Sequence, residues 1–132
     1  MKKALFDSTI IIDFIRHDPE VVGLIDRYLD FHDGITFSAI TKYEILRGYE
    51  VVRAEQRKAE FLAFCDDHEI LPITDDVIHK AAAIYGDLHR KGQMIGDADI
   101  LIGATAIFNQ LPILTLNTKH FKVIDGLALM AQ

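Results

Sequence analysis

The chain has 132 residues, 50% of them hydrophobic and 26% charged, the composition of one globular domain that buries a core without staples. A single cysteine, Cys65, excludes an internal disulfide framework and favours a reducing cytoplasm, and no apolar run approaches the roughly 18–20 residues of a membrane span. The net charge of -6 argues against a broad surface for nucleic-acid phosphates, unless bound divalent cations reverse the sign of an acidic pocket.

The first six residues, MKKALF, imitate a signal peptide, but Asp7 and Asp13 interrupt what would have to be an uncharged run. Residues 3–6 read as a strand and 9–16 as a short helix. Asp18-Pro19 then supplies an N-cap and a first helical position. Val21, Leu24, Ile25, Tyr28 and Leu29 form the apolar stripe of that helix, and Asp33-Gly34 turns into a second strand at 35–37. From residue 41 the pattern is helical and is expected to continue to 68, carrying Lys42, Arg47, Arg53, Arg57 and Lys58. A strand at 70–73 ends at Thr74, an N-cap with Asp75 and Asp76 behind it. The inner face of this helix reads Val77, Ala81, Ile84, Tyr85 and Leu88, and Lys91-Gly92 closes it. A helix over 97–109, a strand over 112–116, a turn holding His120 and Phe121, and an edge strand near 127–129 complete the chain.

Helices alternating with short apolar runs predict an α/β domain with a mostly parallel sheet, its first and fourth strands central because they are apolar on both faces. In such sheets ligands bind beyond the carboxyl ends of the strands. Asp7 follows the first strand and Asn117 the fourth, so adjacent strands would bring both to one crevice. Glu44 lies a turn beyond the second strand, and Asp99 lies in the first turn of GDADILIGATA. Gly103, Ala104 and Ala106 are small enough to let that helix approach the sheet closely.

Carboxylates crowded into one crevice raise each other's pKa unless a cation neutralises them, and oxygen donors suit magnesium or manganese. Each acid also has an ordinary explanation. Asp7 is a good N-cap, Glu44 stands three residues before Arg47, and Asp97 and Asp99 complement a helix dipole. Asn117 suits a turn, His120 reads as a loop histidine and Asp13 as a solvated acid. The six histidines include no i, i+4 pair and have no cysteine partners, so a structural zinc site is not expected.

In order along the chain, FDSTIIIDF, TKYEILRGY, IGDADILIGATAI and PILTLNTKHF resemble the motifs of PIN-domain ribonucleases, most closely the toxin subunits of VapBC-type toxin–antitoxin pairs. The resemblance covers nearly the whole chain and implies a single PIN-like domain over residues 1–132. Its fold would be a three-layer α/β/α sandwich with a central, mostly parallel sheet of four to five strands. It further implies an endoribonuclease dependent on Mg2+, or Mn2+, held by Asp7, Glu44 and Asp99, with Asp97 as an additional ligand. Asn117 occupies the fourth position of that catalytic set, where many members carry an acid, and Ser8-Thr9 replaces the usual Thr-Asn after the first acid.

The implied substrate is RNA, transfer RNA among the candidates. The implied partners are a cognate antitoxin and a second copy of the chain, the antitoxin lying near Tyr43, Leu46, Tyr49 and Val52. Arg47, Arg53, Arg57, Lys58, Lys80, Arg90 and Lys91 are the basic residues available to an RNA backbone. Two rival readings are a phosphoryl-transfer domain, of the receiver or dehalogenase-like type, and an inactive PIN-like binding module. Against the first, Phe6 precedes the lone Asp7 where a receiver pairs acids, and Thr9 stands where a dehalogenase-like enzyme needs its second Asp. Against the second, Asp7, Glu44 and Asp99 are all present.

Overall fold

A computed structural model describes residues 1–130. Its sheet has four short strands, β1 (Leu5–Phe6), β2 (Thr36–Ser38), β3 (Glu69–Leu71) and β4 (Ile113–Leu114), in the order β3-β2-β1-β4. Every pairing is parallel, so all four carboxyl ends lie on one edge. Among the described residues seven helices accompany them: α1 (Ser8–Ile15), α2 (Pro19–Leu29), α3 (Ala39–Val52), α4 (Glu55–Asp66), α5 (Asp75–Lys91), α6 (Asp97–Phe108) and, after the last strand, α7 (Thr118–Phe121).

Alternation along β1 divides the core in two. Ala4 and Phe6 join Ile10, Ile11, Val21, Ile25, Tyr28, Phe37 and Phe61, drawn from α1, α2, β2 and α4. Leu5 faces the other way, with Val77, Ile84, Leu88, Ile100, Ile102 and Phe121 from α5, α6 and α7. The result is the α/β/α sandwich expected from the chain order, and no helix among the described residues is long and apolar enough to cross a membrane.

Several expectations need correction. The helix expected over 41–68 is two helices, broken where Arg53 adopts a left-handed conformation at φ 55 and ψ 40. A continuous helix of that span would be about 42 Å long and would overshoot the sheet. The break lets α4 fold back and bury Phe61 and Cys65. β4 is the edge of the sheet rather than central. It reads as apolar because a parallel bridge from Ile113 to Leu129 covers its outer side, with Ile113 N donating to Ala128 O at 2.9 Å and Met130 N to Ile113 O at 2.8 Å. That single bridge is all that forms of the strand expected near 127–129. Tyr85 and Leu29 face solvent instead of completing their helices' apolar stripes.

Candidate active site

Asp7 follows β1 directly, and its backbone N–H donates to Leu114 O of β4 at 3.2 Å, which locks it at the carboxyl edge of the sheet. The residue is 2% exposed. Its side chain is the N-cap of α1, accepting from Ile10 N at 3.1 Å. Thr9 Oγ1 lies 2.8 Å from Oδ1 and 3.0 Å from Oδ2, and Thr115 Oγ1, just beyond β4, donates to Oδ2 at 2.5 Å. The capping role read from the sequence is present, and the same carboxylate also joins the end of β1 to the end of β4 through Thr115. Burial pushes its pKa above the usual aspartate value; the hydrogen bonds from Thr115, Ile10 and Thr9 oppose that rise, and the charge of Asp99 adds to it.

Glu44 reaches the same region from α3. Ser8 Oγ donates to Glu44 Oε1 at 2.6 Å, and because Ser8 has one hydroxyl hydrogen, Thr41 Oγ1 must donate to Ser8 across their 2.9 Å contact. Thr41, Ser8 and Glu44 therefore form a directed relay. The ion pair with Arg47 exists but is long, at 3.9 Å, and the Arg47 guanidinium lies over the Tyr43 ring at 5.4 Å. Glu44 is held chiefly by a hydroxyl one residue after Asp7.

Asp99 stands in the first turn of α6 and accepts from His120 Nδ1 at 2.9 Å, so His120 is no idle loop histidine. Asn117 touches both ends of the arrangement. Its backbone N–H donates to Thr115 Oγ1 at 2.8 Å, and its side-chain Nδ2 lies 2.8 Å from His120 Nδ1. Asp97 is exposed in the same turn as Asp99, and residues two apart diverge by about 200° around a helix. No three His, Cys, Asp or Glu side chains among the described residues stand together closely enough to be a metal cluster as they are placed.

Ser8, Thr9, Thr115 and His120 complete the network, and sequence reasoning gave only the first two any weight. Thr115 had a usable signal, a hydroxyl ending the strand beside the one that delivers Asp7. His120 had none, since its partner lies 21 residues away in another helix. Of the basic residues, Lys58 is paired to Glu50 at 2.8 Å and Lys91 to Asp87 and Asp125 at 2.9 Å each. Arg53, Arg57, Lys80 and Arg90 carry no ion pair among the described residues, which leaves their charge available.

Comparison with known proteins bears on the family and the fold. The model of the PIN domain family matches residues 4–127. The chain is 37% identical over 131 residues to Ribonuclease VapC1 of Rickettsia felis, covering 96% of this chain and 93% of that protein. It is 32% identical over 120 residues to Ribonuclease VapC1 of Methanocaldococcus jannaschii, covering 91% and 79% respectively. Among solved structures, DNA-bound VapBC from Salmonella typhimurium superposes with a TM-score of 0.87 at 25% identity, covering 98% of each chain. The chain belongs to the PIN-domain family, among its VapC ribonucleases.

Proposed function

We propose that this protein is a metal-dependent endoribonuclease that acts in the cytoplasm as the toxin of a toxin–antitoxin pair. The observation that carries the proposal is the buried Asp7 carboxylate at the sheet edge, within electrostatic reach of Asp99 and one residue from the hydroxyl that holds Glu44. Burying an acid costs stability, and proteins carry that cost most often where the charge serves a function.

The donor set suits a hard divalent cation, Mg2+ or Mn2+. All its atoms are oxygens, and an ionised carboxylate offers about four acceptor positions. Three groups donate to Asp7, namely Thr9, Ile10 N and Thr115, so an acceptor position remains. Asp7, Asp99 and Glu44 are the proposed ligands, with Asp97 in the first turn of α6 as a further negative charge beside them. A cation held there supplies an activated water and offsets charge developing on phosphate oxygens.

The protein's own part is positioning. Thr9 and Thr115 orient Asp7 and favour its charged form, the Thr41–Ser8 relay orients Glu44, and Asn117 ties the end of β4 to both halves of the site. Attack by water leaves a 5′-phosphate and a 3′-hydroxyl. Arg53, Arg57, Lys80 and Arg90 are the cations proposed to follow the RNA backbone. The partner is a cognate antitoxin, consistent with the VapBC complex of the same fold, and α3 exposes Tyr43, Val51 and Val52 to such a contact. A homodimer or a toxin–antitoxin hetero-oligomer is the proposed assembly.

The test is incubation of the purified protein with total RNA, transfer RNA included, in Mg2+ or Mn2+. Discrete 5′-phosphate ends that vanish with chelator and with a folded Asp99→Asn variant are expected. Undiminished cleavage by the folded variant, or cleavage that survives thorough chelation, would overturn the assignment.

A further inference from the structure

We propose that His120 is a positioning residue for the acidic site: its Nδ1–H holds Asp99 Oδ2 and so presents Oδ1 to a divalent cation. The inference rests on the metal-dependent reading above.

His120 Nδ1 is 2.9 Å from Asp99 Oδ2, and this is the one side-chain hydrogen bond of Asp99 among the described residues. An ionised carboxylate only accepts, so Nδ1 is the donor and the ring carries its hydrogen there. The same nitrogen lies 2.8 Å from Asn117 Nδ2, which as placed would set donor against donor. A half-turn of the Asn117 amide removes the conflict, bringing Oδ1 to share the Nδ1 hydrogen and turning the NH2 away. One imidazole hydrogen then joins α6 to the turn after β4.

This contact is set by packing on both sides. Phe121, next to His120, is 0% exposed in the core against α6. Gly103 of α6 comes so close to the segment after α7 that a Cβ there would lie 2.7 Å from Ile124 Cδ1. The small residue expected to bring α6 against the sheet brings it against the segment that follows the helix of His120. Asp7 has Thr9 and Thr115, and Glu44 has Ser8; His120 is the corresponding donor for the third acid. It also restrains Asp99 against the repulsion of the Asp7 charge. Donors behind ligating side chains commonly contribute about 10–100-fold to metal affinity.

The experiment measures Mn2+ binding by the full chain without RNA, following the free-ion electron paramagnetic resonance signal, for wild type, His120→Ala, His120→Gln and His120→Asn. Asparagine places an NH2 near the position of Nδ1, whereas glutamine reaches toward that of Nε2. H120A and H120Q are expected to bind Mn2+ about tenfold more weakly or worse, and H120N close to wild type. Circular dichroism melting establishes that each variant is folded. A purely structural histidine would not yield this rescue by asparagine alone. Affinity unchanged in H120A, or H120N as weak as H120A, would overturn the role given to His120 while leaving the metal site standing. A wild type that binds no Mn2+ would remove the metal-dependent reading and this inference together.

Discussion

Thr115 Oγ1 donates to Asp7 Oδ2 at 2.5 Å, joining the ends of β1 and β4 across 108 residues of sequence. This hydrogen bond is the strongest of the influences that oppose the burial-driven rise in the Asp7 pKa. Thr115→Val keeps the shape and removes the donor, and a hydrogen bond to a charged group contributes roughly 1.5–3 kcal/mol. T115V should therefore melt several degrees below wild type and cleave RNA poorly, while Thr115→Ser, which keeps the hydroxyl, should recover most of both. Calorimetry and a cleavage assay on the three proteins decide it. T115V melting with the wild type would show that the bond contributes nothing.

The relay from Thr41 through Ser8 to Glu44 makes a separable prediction. Ser8→Ala removes the donor at 2.6 Å from Glu44, whereas Thr41→Val removes only the bond behind it, leaving Ser8 to donate as before. S8A should lower the cleavage rate by about tenfold, the scale of losing a donor behind a ligand. T41V should act mainly on stability, by about 1 kcal/mol for one buried hydrogen bond. Rates and melting points measured in parallel test the order of the relay. Equal rate losses in the two variants would contradict it.

Legibility in the sequence followed the range of the interactions. Asp7 stood out because a parallel sheet gathers whatever follows its strands onto one edge, whereas Glu44 and Asp99 lie within helices and were singled out by the motifs around them. β4 was misplaced because coverage by Leu129 and burial between two strands leave the same apolar pattern. The break at Arg53 had no local signal, since neither glycine nor proline stands there and the turn is imposed by packing of Phe61 and Cys65. His120 was beyond reach for a related reason: its partner is set by how closely Gly103 admits Ile124.

The Arg53 joint is a place where the fold outweighs local preference. A left-handed non-glycine residue costs about 1–2 kcal/mol, while glycine's greater freedom in the unfolded chain offsets about 0.5–1 of that gain. Arg53→Gly should thus be more stable than Arg53→Ala by about 1 kcal/mol, both having lost the same charge. Comparing these two variants removes any contribution of the guanidinium to RNA binding or surface electrostatics. Thermal or denaturant unfolding reads the difference. R53G no more stable than R53A would mean that the joint carries no backbone strain.

His68 predicts how stability depends on pH away from the acidic site. Its Nδ1 accepts from Ile35 N at 3.0 Å, so the folded state needs that nitrogen unprotonated, and the ring lies 4.3 Å from that of Phe64. Burial lowers its pKa below the ordinary 6.5, with the charge of Asp67 opposing the shift. A histidine depressed in the folded state contributes stability that is fully present above the unfolded value. That stability is lost as pH falls from there through the folded value, because the unfolded chain takes the proton first. Wild-type melting temperature should therefore fall between about pH 7.5 and 5, within the range where histidine titrates. His68→Asn keeps an acceptor for Ile35 N–H and cannot titrate, so its curve should be flatter over that interval. Identical slopes for the two proteins would place the acid sensitivity elsewhere, and a steeper slope in H68N would mean that the folded chain, not the unfolded one, binds the His68 proton more tightly.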